Sequence, residues 1–191
     1  MTRTMRTRTI LAATSAGLLA VGVALVGSSS SQAAVDTATS GVFATNRPVP
    51  AAVAVPAGQT LTAAFAAQGV QVYQCDAGAW KFVEPAASLI GQAMNSRRIQ
   101  TAVHFRGPSW ESTTDGSLVT ATVAASSPVP GSIAQLLLKA ATNRGDGIFG
   151  KVSYIQRLDT TGGAAPAGTC TDGKTTGVQY TAKYRFYSPA S

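Results

Sequence analysis

The strictest constraint on the fold lies near the C-terminus, where Val178, Tyr180, Ala182, Tyr184 and Phe186 alternate without a break with Gln179, Thr181, Lys183, Arg185 and Tyr187. A period of two places successive side chains on opposite faces of an extended chain. This stretch is therefore an antiparallel strand with one face in a core and the other toward water. A strand of that kind needs partners, and the rest of the chain must provide them.

Leu61, Ala63 and Phe65 alternate with smaller or polar neighbours, and Val70–Cys75 and Trp80–Glu84 flank Asp76-Ala77-Gly78 as a β-hairpin that Pro85 ends. Ala86–Gly91 then reads as a turn or a stub of helix. In the next strand Ile99, Val103 and Phe105 share one face and Gln100, Ala102 and His104 the other, so the histidine is expected on the more polar face. Leu118–Ala124 and Lys151–Leu158 are further strands, with a loop expected from Thr160 to Gly168. Between them Ile133, Leu136, Leu137 and Ala140 recur at helical spacing after Ser132, and Asn143 with Gly145 supplies a stop. The expected fold is mainly β: an antiparallel β-sandwich or flattened barrel of about seven strands with one short helix.

The N-terminus reads as an address. Arg3, Arg6 and Arg8 precede an apolar run from Ile10 to Val26, and Ser31-Gln32-Ala33 is a small-x-small cleavage site, so 1–33 is expected to be a signal peptide, cleaved after Ala33 or Ala34. Residues 34–58 are Ala, Val, Thr and Pro and are expected to form a flexible, then extended segment, with a single secreted β domain over 59–188. Three of the 15 basic residues leave with the leader and none of the 8 acidic ones does, so a net charge of +7 falls to +4. That is too sparse for phosphate-backbone binding, and nucleic acid is not an expected partner. Nor is a membrane span expected once the leader is removed. Cys75 and Cys170 are the two cysteines. In an oxidising compartment such a pair most simply forms a disulfide, the alternative being a reactive or metal-binding thiol without a Cys-x-x-Cys motif to support it.

Polar chemistry gathers between His104 and Ser117. His104 is the single histidine, and Glu111 and Asp115 lie close to it in sequence. These three are the candidate catalytic residues: a histidine base with an acidic partner, or with Ser117 as nucleophile, would suit a hydrolase. Glu84, Glu111 and Asp115 are the available pool for a glycosidase carboxylate pair. No established ligand spacing joins His104, Glu111 and Asp115, so no metal is expected. His104, Arg106, Trp110, Asp115 and Ser117 are the candidate ligand contacts, with Trp80, Trp110 and Tyr73 either core anchors or a stacking surface, and Lys183, Arg185 and Tyr187 a weaker surface. Gly145-Asp146-Gly147-Ile148-Phe149-Gly150 spells a dinucleotide fingerprint, but a helix is expected before it and a strand after it, the reverse of what pyrophosphate binding needs. No cofactor is expected.

Several phrases taken together resemble a family of secreted domains of unknown function found in bacteria and fungi: Gly69-Val70-Gln71-Val72-Tyr73-Gln74-Cys75, His104-Phe105-Arg106-Gly107-Pro108-Ser109-Trp110, Asp115-Gly116-Ser117, and Thr161-Gly162-Gly163-Ala164-Ala165-Pro166. Ile155-Gln156-Arg157, Cys170 and Tyr180–Tyr187 complete the likeness. The family tends to carry a tryptophan just before the leucine run, where this chain has Ala134-Gln135. The resemblance implies export and one domain. Some fungal relatives are labelled malate dehydrogenase, for which the inverted glycine string and the short chain offer no support. The functional expectation is a secreted monomer that binds an extracellular glycan or small molecule through the His104–Ser117 segment, with a hydrolase using His104 and an acid as the alternative.

Overall fold

A computed structural model describes residues 47–190. The expected leader, and the part of the following segment before Arg47, lie outside the described residues. Eight strands follow one another: β1 (Gln59–Asp76), β2 (Ala79–Ala93), β3 (Ile99–Phe105), β4 (Ser109–Ser112), β5 (Leu118–Ser127), β6 (Gln135–Arg144), β7 (Tyr154–Gly162) and β8 (Thr175–Pro189). Each pairs antiparallel with the next, and β8 returns to β1 from Gln59↔Pro189 to Gln74↔Thr175, so the sheet closes into a barrel. Of the two architectures expected, closure selects the barrel, which leaves no long free edge.

The interior is filled by matching large rings to small neighbours. Phe65 lies opposite Gly91 on β2 and Tyr184 on β8, and Gly69 lies opposite Ala87 and Tyr180. Phe65, Trp110, Phe149, Tyr180, Tyr184 and Phe186 are each at most 2% exposed. All of these but Tyr180 contact one another in tilted and edge-on pairs with centroids 4.6 to 6.5 Å apart, a geometry that aromatic quadrupoles favour. An eight-stranded barrel is just wide enough for side chains to fill it.

Four expectations are corrected. The helix at 133–140 is instead β6. Leu138 enters the barrel, while Leu137 on the opposite face is buried with Leu158 beneath Val53 of the N-terminal segment, which makes a 3-10 turn at Ala51–Val53. With both faces of the strand covered, the leucine run loses its period of two and imitates a helix. The stretch Ala86–Gly91 is not a turn: β2 continues to Ala93, and Pro85 falls beside a register shift at Val72/Tyr73, before the pairing with β3 begins at Ala87. In β3 the buried face carries Ala102 and His104, and Ile99 and Val103 face solvent. The expected strand at 151–158 is also displaced, to Tyr154–Gly162.

The hairpin turn stands where expected, with Ala77 and Gly78 both at positive φ (49° and 72°) as a two-residue hairpin requires. Cys75 and Cys170 are joined, with their Cα atoms 5.8 Å apart across 95 residues. Cys75 N–H donates to Lys174 O and Cys170 N–H to Gly78 O, so the bridge ties the 163–174 loop to the tip of the hairpin.

Two stability predictions follow from this packing. A Cβ at Gly91 would stand 2.0 Å from Ala64 O and 2.7 Å from the Phe65 ring, whereas one at Gly78 meets nothing within 4 Å. Gly91→Ala should therefore cost about 3 kcal/mol in urea unfolding, and Gly78→Ala about 1 kcal/mol from its positive φ alone; equal costs would contradict the close approach. Reducing the disulfide should lower the unfolding free energy by about 4 kcal/mol, read from paired denaturation curves with and without reductant.

Candidate functional site

The His104–Ser117 segment forms the end of β3, all of β4 and the turns that follow each of them. Because side chains alternate, the register His104↔Trp110 turns both of these inward, while Val103↔Glu111 turns the acid outward. His104 is 3% exposed and Trp110 1%. Their rings stack at 4.2 Å with an interplanar angle of 8°, and Tyr184 meets both edge-on. His104 Nδ1 lies 2.8 Å from Ser109 O. A carbonyl only accepts, so Nδ1 carries the proton and donates.

The remaining candidates are dispersed. Arg106 projects outward and pairs with Glu84 at 3.1 Å, and Glu111 pairs with Arg144 at 2.6 Å; both are exposed surface pairs of small energetic weight. The hydrogen bond from Arg106 holds the Glu84 carboxyl below its usual range. His104, Glu111 and Asp115 thus do not converge, because the pleat puts the base inside and Glu111 outside. As contacts for an external ligand, His104, Trp110 and Ser117, the last 1% exposed, are enclosed by the fold. The aromatic cluster that suggested recognition is core packing.

Asp115 and Ser117 close one end of the barrel. Asp115 Oδ1 accepts from Ser117 N–H at 2.9 Å and Ser117 Oγ–H at 2.6 Å, and Oδ2 accepts from Ile148 N–H at 3.0 Å. Ser117 Oγ in turn accepts from Phe149 N–H. Burial raises the Asp115 carboxyl, but the bonds from Ser117 and Ile148 outweigh it and hold the group below its usual range. Their effect is to seat Phe149, 0% exposed, between Phe65 and Phe186. The glycine string at 145–150 is the loop that carries this plug. A strand precedes it and not the expected helix, and β7 follows, so no helix N-terminus stands there for a pyrophosphate. At Gly147 a Cβ would stand 2.3 Å from the Asp115 carboxylate, so a larger residue there would displace the carboxylate from its hydrogen bonds.

A concave surface of which the sequence singled out Lys183 alone lies on the outer face of β7, β8, β1, β2 and β3. It is a groove of about 690 Å³ lined by Gln68, Ser88, Ile90, Thr101, Val103 and Thr181 among others, with Lys183 and Asp159 paired at 3.4 Å on its lining. Ile90 and Val103 are exposed there although large and apolar. Apolar residues at outward positions of otherwise alternating strands are the signal that could have found it.

His104 yields a clean pH test. Burial pushes its imidazole down from 6.5 to about 3, against the bond to Ser109, which raises it, and with the Arg157 charge, which lowers it further. An unfolded histidine takes up its proton near pH 6.5 and the folded one resists until about pH 3. Stability from this group is therefore complete above pH 6.5 and falls as the pH drops, by at most about 1.4 kcal/mol per pH unit. His104 is the single histidine, so urea unfolding between pH 6.5 and 5 should show that slope in the native protein and lose it in His104→Phe. Equal slopes would refute the buried neutral imidazole.

No curated protein and no solved structure matches this chain. Among the described residues, no helix is long and apolar enough to cross a membrane. Residues 56–188, which take in all the strands but for the last residue of β8, match the family described as Protein of unknown function (DUF3455). The barrel with its plugged end and its bridged hairpin thus falls within that match, and the chain belongs to this family of unknown function.

Proposed function

We propose that this chain is an exported binding module, one domain over 59–188 released from the leader at 1–33, that acts as a monomer. Its ligand is a cell-envelope glycan or another small extracellular molecule, held in the outer groove of β7, β8, β1, β2 and β3. The observation that carries this reading is the groove itself. Its volume of about 690 Å³ is that of a small-molecule site, and hydroxyl and amide groups on Gln68, Ser88, Thr101 and Thr181 surround the exposed Ile90 and Val103. The hydroxyls suit a polyhydroxylated ligand and the aliphatic pair suits its apolar edges. The Cys75–Cys170 bridge supports an oxidising compartment.

The barrel interior supports the same choice by elimination. It is packed with rings, so a ligand of glycan size meets the protein from outside. Thr101 and Thr113 already share a hydrogen bond at 2.6 Å on this face, which fixes the position of two hydroxyls before any ligand arrives. Such fixed groups lower the ordering cost of binding.

Retention on immobilised envelope polysaccharides and a soluble glycan panel is the direct test. Ile90→Asp and Thr181→Arg, both outside the core, should weaken a positive interaction about 10-fold or more with the melting temperature kept within a few degrees. Undiminished retention by both variants would remove the groove from consideration, and failure of the native protein on every class would remove the binding module.

A further inference from the structure

The barrel interior is divided. Toward Phe149 it is hydrocarbon, and toward Gly162 and Gly163 it is polar with its donors poorly matched. The Tyr180 and Tyr184 hydroxyls, Gln71 Nε2 and Trp110 Nε1 are all buried and none makes a hydrogen bond of normal geometry; Tyr180 meets Tyr184 and Gln71, and Tyr184 meets Arg157, only in looser contacts. Buried side-chain donors are satisfied in the great majority of cases. All four residues are at most 2% exposed. They are contiguous: Trp110 packs on Tyr184 at 5.4 Å, and Gly163 lies against both Tyr180 and Gln71, so closely that a Cβ there would stand 2.8 Å from one and 3.0 Å from the other.

Arg157 completes the group. It stands directly opposite Tyr184 across β7 and β8, and directly opposed residues point to the same face, so its side chain enters the same interior. Its Nε donates to Ala134 O at 3.0 Å, which turns the rest of the guanidinium to other partners. The Arg157 charge acts on Tyr73, His104, Tyr180 and Tyr184, and none of the ion pairs among the described residues includes Arg157. Competing acceptors are taken: Ser109 O by His104 and Gly163 O by the Tyr73 hydroxyl at 2.7 Å. Arg157 is itself only half-buried, so the cluster opens to the surface on its side.

A guanidinium inside a fold without an anionic partner is costly. Four further donors around it are the chemistry that recognises a negatively charged acceptor. We propose that Gln71, Trp110, Arg157, Tyr180 and Tyr184 form a binding site for one compact anion, either the carboxylate of a small molecule or a halide ion. The site is separate from the outer groove and stands or falls independently of it.

Thermal unfolding of the full chain at constant ionic strength, titrated with sodium acetate or with sodium chloride, tests this. A saturable rise of about 3–6 °C at ten times the dissociation constant is expected for at least one of the two salts. A response to acetate alone identifies the carboxylate source, and one to chloride alone the halide. Arg157→Gln should abolish the saturable response, and Tyr184→Phe should weaken it about 10-fold. No saturable response to either salt, or one of equal size in Arg157→Gln, overturns the site. Should Arg157→Gln fail to fold, Tyr180→Phe and Tyr184→Phe decide: weakened responses support the site and unchanged ones overturn it. A bromide-grown crystal provides an independent reading. An anomalous peak within hydrogen-bonding distance of Arg157 and a phenol supports the halide, and a carboxylate in that position from an acetate-grown crystal supports the other source.

Discussion

The structure depends on closing one sheet around rings that must fit inside it. Several large interior rings sit where a neighbouring strand has withdrawn its side chain: Phe65 over Gly91, Tyr180 over Gly69, and His104 stacked on Trp110 beside Ala87. Strand separation in a ladder is set by backbone hydrogen bonds at about 4.8 Å, so interior volume can be adjusted only through side-chain size. The alanines and glycines at interior positions, among them Ala63, Ala67, Gly69, Ala87 and Gly91, follow from this. They are the small half of a small-to-large pairing that lets the barrel shut.

The ends of the barrel are closed by polar devices. At one end Asp115 and Ser117 hold the loop that seats Phe149. At the other, Tyr73 donates to Gly163 O, Ile133 N–H and Ser132 Oγ–H donate to Gly162 O, and the Cys75–Cys170 bridge ties the next loop to the hairpin. Asp115-Gly116-Ser117, the glycine pair at 162–163 and the run ending in Cys75 are these closures, so in this chain they serve the fold first. The chemistry left over lies elsewhere, on the outer face and around Arg157.

The single histidine shows how a scarce residue can mislead. Uniqueness makes it the natural candidate for proton transfer, yet its Nδ1–H is held by a carbonyl, and its ring is stacked on Trp110 and meets Tyr184 edge-on. The same register that buries it exposes Glu111, and no movement short of opening β3 from β4 would bring the two together.

Most of the strands, their antiparallel sense, the hairpin at Ala77-Gly78 and the pairing of two cysteines could be read from the sequence alone, because alternation, turn chemistry and cysteine count are local or compositional. The last strand was legible down to which residues face inward, since Tyr180, Ala182, Tyr184 and Phe186 alternate with polar neighbours. Three things were decided only by tertiary structure. Whether an eight-strand set closes or stacks depends on the pairing of β1 with β8, more than a hundred residues apart. The leucine run became a strand because an N-terminal segment covers its outer face, and His104 turned inward because Ile99 and Val103 line an outer surface that a single strand cannot reveal. Alternation states that two faces differ; which face is the inside is fixed by the neighbours that arrive from far along the chain.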